Sequence, residues 1–127
     1  MANPNIAGSS TTIYGVTTYL TPGGTTALVL LPNAASSGTV MKINQIVAAN
    51  VNGTSAVDTT VAINDAAAGA GTSFPVVSTV SVPADASLIV VDKTTAIYLM
   101  EDQSIVVTSG SADDIAYTIS YEAISSS

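Results

Sequence analysis

The sequence predicts an all-β chain: a single-domain antiparallel β-sandwich, Ig-like or jelly-roll-like, of about seven to nine strands. Three observations predict it. Short runs rich in Val, Ile, Thr and Tyr recur roughly every ten residues, separated by clusters of Gly, Pro, Asn or Asp. The clearest run alternates with period two, and helical periodicity is nowhere sustained. The 127 residues make one domain, long enough to bury roughly two-thirds of the unfolded surface around a single core.

The first runs are Thr11 to Leu20 and Thr25 to Leu31. Between them Thr21-Pro22-Gly23-Gly24 supplies turn chemistry, since Pro presets φ and Gly permits φ > 0, so the pair reads as a hairpin. Val40 to Asn50 and Val57 to Asn64 follow, split by a segment containing Asn52-Gly53, a strong short-range hairpin signal. In the second of these runs Val57, Thr59, Val61 and Ile63 share a face that can meet a core. Asp58, Thr60, Ala62 and Asn64 take the other, toward water or a neighbour. Asp65 to Ser73, with its Ala-Gly-Ala-Gly centre, reads as a mobile loop.

Phe74 to Val82, Ala86 to Val91, Ala96 to Met100 and Ser104 to Thr108 continue the cadence. In the last run Ile115, Tyr117, Ile119 and Tyr121 alternate with Ala116, Thr118, Ser120 and Glu122, giving one apolar face and one small polar face. Residues 1–10 are expected to form an N-terminal arm and 125–127 a polar C-terminal tail. The recurring Thr-Thr doublets reflect the fitness of a β-branched residue for strand entry rather than a repeat.

Composition excludes most chemistry. Cysteine, histidine and tryptophan are absent, which removes a thiolate nucleophile or metal ligand, the usual proton shuttle and the strongest stacking platform. Only Lys42 and Lys93 oppose nine carboxylates, for a formal charge of -7, so a phosphate backbone would be repelled and no nucleic-acid partner is expected. Charged residues are 9% of the chain, against 16 Ser and 17 Thr. Such a hydroxyl-rich surface meets another protein with little desolvation penalty. The N-terminus lacks the basic flank and apolar core of a signal peptide. Ala27 to Leu31, the longest wholly apolar stretch, is about four times too short for a membrane helix, and no membrane partner is expected.

The candidate constellations read as structural. Asp113-Asp114 and Glu101-Asp102 place neighbouring side chains on opposite faces of an extended chain and lack calcium-loop spacing, so they read as solvated turn acids. Neither lysine follows a Ser-x-x-Lys pattern that would make it the base of a nucleophile. Gly23-Gly24 and Gly69-Ala70-Gly71 lead into no helix and carry no P-loop lysine. Asn52-Gly53-Thr54 matches a glycosylation acceptor but reads better as a turn. Tyr14, Tyr19 and Tyr98 would make a sugar-binding platform only as a coplanar exposed patch; Tyr117 and Tyr121 belong to the core face. No catalytic, cofactor-binding or metal residue is assigned, and no enzyme is expected.

From Val82 to Ile124 the chain resembles the small accessory structural proteins of tailed bacteriophages, especially phages of marine cyanobacteria. Val82-Pro83, Ile97-Tyr98-Leu99 followed by Glu101-Asp102-Gln103-Ser104, and Ser120-Tyr121-Glu122-Ala123-Ile124 carry the resemblance. It implies a virion protein assembled in the host cytoplasm, decorating or cementing the head lattice. The partners it implies are the chain's own copies in a homo-oligomer and other virion proteins such as the major capsid protein. The alternatives are a neck- or tail-associated subunit, or a carbohydrate-binding adhesion module.

Overall fold

The computed structural model describes residues 7–8 and 11–126, and the N-terminal arm expected over residues 1–10 lies largely outside the described residues. Nine strands follow in order: β1 (Thr11–Leu20), β2 (Leu28–Asn33), β3 (Thr39–Asn50), β4 (Val57–Asn64), β5 (Ser73–Val82), β6 (Ser87–Val91), β7 (Ile97–Leu99), β8 (Gln103–Ser109) and β9 (Ile115–Ser126). They form two antiparallel sheets. The five-stranded sheet runs β1-β9-β3-β6, with β7 also on β3, and the four-stranded sheet runs β2-β8-β4-β5. Since β6 and β7 occupy successive stretches of the same edge of β3, they act as one interrupted strand. That arrangement is the eight-strand jelly roll, which decides between the two sandwich types the sequence left open.

Jelly-roll winding overturns both expected hairpins. β1 pairs β9 and β2 pairs β8, so Thr21-Pro22-Gly23-Gly24 carries the chain from one sheet to the other. The Asn52-Gly53 segment likewise links β3 to β4 across the sandwich. Asn52 shapes a local turn there, its Oδ1 accepting from Thr54 N (2.9 Å), Thr54 Oγ1 (3.0 Å) and Ser55 N (3.0 Å). The hairpin between sequence neighbours in one sheet is β4–β5, at the segment read as a mobile loop. The polar tail expected at 125–127 is corrected too: Ser125 and Ser126 continue β9 and pair with Thr12 and Thr11.

Residues 65–72 are tied down rather than loose. Asn64, buried at the end of β4, donates from Nδ2 to Gly71 O (3.1 Å) and Ser73 Oγ (2.9 Å), and its Oδ1 accepts from Ala66 N and Gly71 N (3.0 Å each). Ser104 Oγ donates to Ala66 O (2.8 Å) and Asp65 Oδ1 accepts from Thr72 N (2.7 Å). The loop thereby brings Gly69 against Val29 and Val106 on the outer side of the four-stranded sheet. Ala62 and Asn64, expected to face water or a neighbour, are buried.

The core lies between the sheets. Ile115, Tyr117 and Ile119 of β9 face Ile43, Ile46 and Ala48 of β3, and across the interior stand Val57 and Val61 of β4 and Ile105 and Val107 of β8. A bulge at Asn44 lets Ile43 and Ile46 both point inward despite their odd spacing. One at Leu30 does the same for Leu30 and Leu31. Tyr117 ties the two layers together: its hydroxyl donates to Thr108 O (2.9 Å) and is hydrogen-bonded to Thr59 Oγ1. A buried phenol is thus satisfied by one strand residue from each of β4 and β8.

Two predictions follow from this packing. Ile119 is fully buried whereas Thr118, its neighbour, is exposed. Ile119→Asp is expected to abolish folding, a loss of more than about 4 kcal/mol, and Thr118→Asp to cost about 1 kcal/mol or less, as read by thermal melts. Similar melting temperatures would overturn the assignment of faces. At Gly69, φ is +77° and a Cβ would stand 2.8 Å from Val29 Cγ2. Gly69→Ala should therefore lose about 1–3 kcal/mol in urea unfolding, since the added methyl meets both a left-handed backbone and a stiff β-branched neighbour.

Candidate interaction surface

The carboxylates anchor turns. Asp114 Oδ2 accepts from Ser111 Oγ (2.7 Å) and Asn52 Nδ2 (3.1 Å), which joins the turn before β9 to the β3–β4 crossover. Asp92 caps the single 3-10 turn at Lys93–Thr95, its Oδ1 accepting from Thr94 N (2.9 Å) and Thr94 Oγ1 (2.6 Å). Asp102 Oδ1 accepts from Ala67 N (3.3 Å), reaching the 65–72 loop. Asp85, Asp102 and Asp113 all adopt positive φ, a conformation that Asp tolerates better than most residues. Glu101 departs from the solvated role expected of it: it is buried, and its Oε2 accepts from Gly38 N (3.1 Å). Among the described residues no three carboxylates gather as a metal cage would require.

Lys93 is exposed in the 3-10 turn. Lys42 lies on the outer side of the five-stranded sheet, facing Glu122 on one neighbouring strand and Tyr98 on the other. The exposed tyrosines do not converge. Tyr14 opposes Ala123, which opposes Met41 of the core side, so Tyr14 takes a core-facing position, whereas Tyr19 opposes Thr118 on the outer side. Tyr98 shares that outer side but lies three strands across and four residues along from Tyr19, ~20 Å away at ordinary strand spacings. They form no coplanar sugar platform.

What the fold gathers instead is an uncharged flank. Residues 1–41 contain no Asp, Glu, Lys or Arg. The jelly roll places the two strands that lie wholly within this segment, β1 and β2, at the same side of the sandwich, each at the edge of its sheet. Here the seam between the sheets stays open. Tyr14 and Val16 of β1 and Leu28 of β2 occupy core-facing positions yet are 64%, 37% and 39% exposed, and Ile13 and Tyr19 are exposed on the outer side. Exposed apolar side chains concentrated along one edge mark candidate interaction sites. The signal was present in the sequence as the charge-free stretch, but only the sheet order puts β1 beside β2.

The remaining edges are blunted. β5 carries Pro75, two register breaks and a positive φ at Thr79. β2 is six residues long with a bulge and Pro32, and β6 and β7 are separated by the 3-10 turn. Natural proteins protect edge strands with these devices. β1 has none of them. It runs for ten residues in unbroken register with β9, without a charge or a proline.

No protein-family model and no curated protein matches the chain. Among solved structures it is similar to a subunit of Bacillus endospore appendages, described as a novel family of disulfide-linked pili, with a TM-score of 0.54 and 13% identity over 99% of this chain and 96% of that one. A weaker likeness, TM-score 0.47 and 9% identity, links 90% of this chain to 32% of a chain from infectious bursal disease virus, Gx strain. The first likeness establishes a shared sandwich fold along essentially the whole chain. No described helix is long and apolar enough to cross a membrane.

The side-chain environments set the pH response. Hydrogen bonds from the Ser111 hydroxyl, then from the Asn52 amide, hold the Asp114 carboxyl below its usual value, and the Thr94 hydroxyl and amide do so for Asp92. Burial raises the Tyr117 phenol above its ordinary value of 10.0, with the Thr59 hydrogen bond opposing. A lowered acid stabilises the fold above its unfolded value and loses that contribution as pH falls through the folded one. A raised phenol stabilises below its unfolded value and loses that contribution as pH rises through the folded one. The melting temperature is therefore expected to be level between about pH 6 and 9 and to fall on both sides. Asp114→Asn should flatten the acid limb, and an unchanged limb would refute its assigned role.

Proposed function

We propose that this chain is a non-enzymatic structural subunit that works by packing against protein, and specifically that it decorates or cements the head lattice of a tailed-bacteriophage particle. The observation that carries this reading is the charge-free, apolar β1/β2 flank on a chain of formal charge -7. An acidic chain with two lysines per copy cannot assemble on its own copies mainly through salt bridges, because cations for nine carboxylates are lacking. It can assemble through an uncharged edge while its acids stay in the turns. Asp85, Asp92 and Asp113 are exposed there, and Asp114 is half-buried beside Ser111.

Two further observations support it. The stretch from Val82 to Ile124 resembles accessory virion proteins of tailed phages, and the fold is shared with a pilus subunit, a protein whose work is assembly. The pilus is described as disulfide-linked, whereas this chain has no cysteine, so its contacts do not rest on disulfides. Catalysis has little to draw on: no histidine or cysteine exists, and the carboxylates described above are engaged in holding turns. Head decoration is preferred to a neck or tail position because edge strands that carry no charge of their own suit many equivalent contacts.

Salt separates this mechanism from an ion-paired one. Screening weakens attractive ion pairs but relieves repulsion between like-charged copies. Sedimentation of the purified protein, alone and with empty phage heads, should show association that is unchanged or strengthened as ionic strength rises. Steep dissociation with rising salt would contradict the reading.

A further inference from the structure

We propose that β1 is a self-pairing edge: two copies join antiparallel along β1, about a two-fold axis normal to the sheet, so that the five-stranded sheets run on into one another. This rests on the reading of the chain as a self-associating subunit and says where the contact lies. From Thr12 to Leu20, β1 is hydrogen-bonded to β9 on one side, and no other described strand lies on its far side. That leaves a row of backbone donors and acceptors open to strand addition.

The occupant follows from the other edges and from charge. An edge in unbroken register over this length is matched in full only by a partner edge equally long and unbroken. β2, β5 and β6–β7 are each short, kinked or interrupted, which leaves the β1 of a second copy. A basic partner would find no carboxylate on β1 to attract it. The nearest in register is Glu122 of β9, opposite Gly15. In the paired sheets the two Glu122 side chains would be three strand spacings apart, ~14 Å, beyond the screening length of about 8 Å at physiological salt. Two acidic copies can therefore meet along β1 without appreciable repulsion. The axis normal to the sheet keeps core-facing positions on the same side in both copies. Tyr14 and Val16 of one copy then close against those of its mate, covering the seam that a lone subunit leaves exposed.

The absence of cysteine makes the test direct. Gly15→Cys, Val16→Cys and Thr17→Cys, made singly, sample the middle of β1, and a Cβ at Gly15 meets nothing within 4 Å. Facing residues in antiparallel strands stand about 4.5–5.5 Å apart at Cα, within the span of a disulfide. Mild oxidation should convert at least one of the three to a covalent dimer, while Ile89→Cys, exposed on the β6 edge, remains a monomer on a non-reducing gel. Val16→Lys should weaken dimerisation on the order of tenfold or more by sedimentation with a native circular dichroism spectrum, and Ile89→Lys should leave it unchanged. No covalent dimer from any of the three, or a folded Val16→Lys that associates like the unmodified chain, would overturn the β1 contact while leaving self-association standing. An unmodified chain that stays monomeric yet sediments with phage heads would likewise overturn only this inference. Monomers that bind no heads at any salt concentration would remove the proposed function as well.

Discussion

The structure depends on β9 lying hydrogen-bonded between β1 and β3. Both partners come from the first fifty residues, far from β9 along the chain, with Thr11 beside Ser126 and Asn50 beside Ile115. Both sides of β9 must be matched before Ile115, Tyr117 and Ile119 are enclosed, so the core and the five-stranded sheet form together. Such non-local pairing has a high loop-closure cost and favours slow folding. The Tyr117 hydroxyl extends the constraint to the second sheet through Thr59 and Thr108, so displacing β9 would also break both of these hydrogen bonds.

The strands themselves were legible in the sequence because each depends on local pattern. Thr11–Leu20 and Val57–Asn64 match the expected bounds, and the alternation at Ile115, Tyr117 and Ile119 gives the buried face directly. Connectivity was not legible. Pro22-Gly23 and Asn52-Gly53 specify how sharply the chain turns but not whether the next strand stays in the same sheet, which is decided by partners far along the chain. The 65–72 segment looked mobile from its small residues, yet those residues are what allow close approach to Val29 and Val106. Glu101 was read as solvated because sequence cannot show that the Gly38 amide reaches it.

The candidate surface was half-legible. Low charge and abundant hydroxyls pointed to protein contact, and the exposed tyrosines suggested sugar. Register separates those tyrosines by side and by distance. The fold divides the molecule by chemistry, with carboxylates mostly in turns and none in any edge strand. Protection by proline, bulges and interruption therefore leaves β2, β5 and β6–β7 quiet without placing a charge on any of them.

The interruption between β6 and β7 also decides how the folded protein meets a protease. Enzymes that cleave after lysine or arginine have only Lys42 and Lys93 to recognise. Lys42 is held in the middle of β3 with a paired strand on either side, whereas Lys93 projects from the 3-10 turn. Digestion by a trypsin-like enzyme is thus confined to one nick. Because β6 and β7 are each hydrogen-bonded to β3, strand pairing would still join the two halves after the nick, leaving a fold whose integrity does not hang on that one peptide bond.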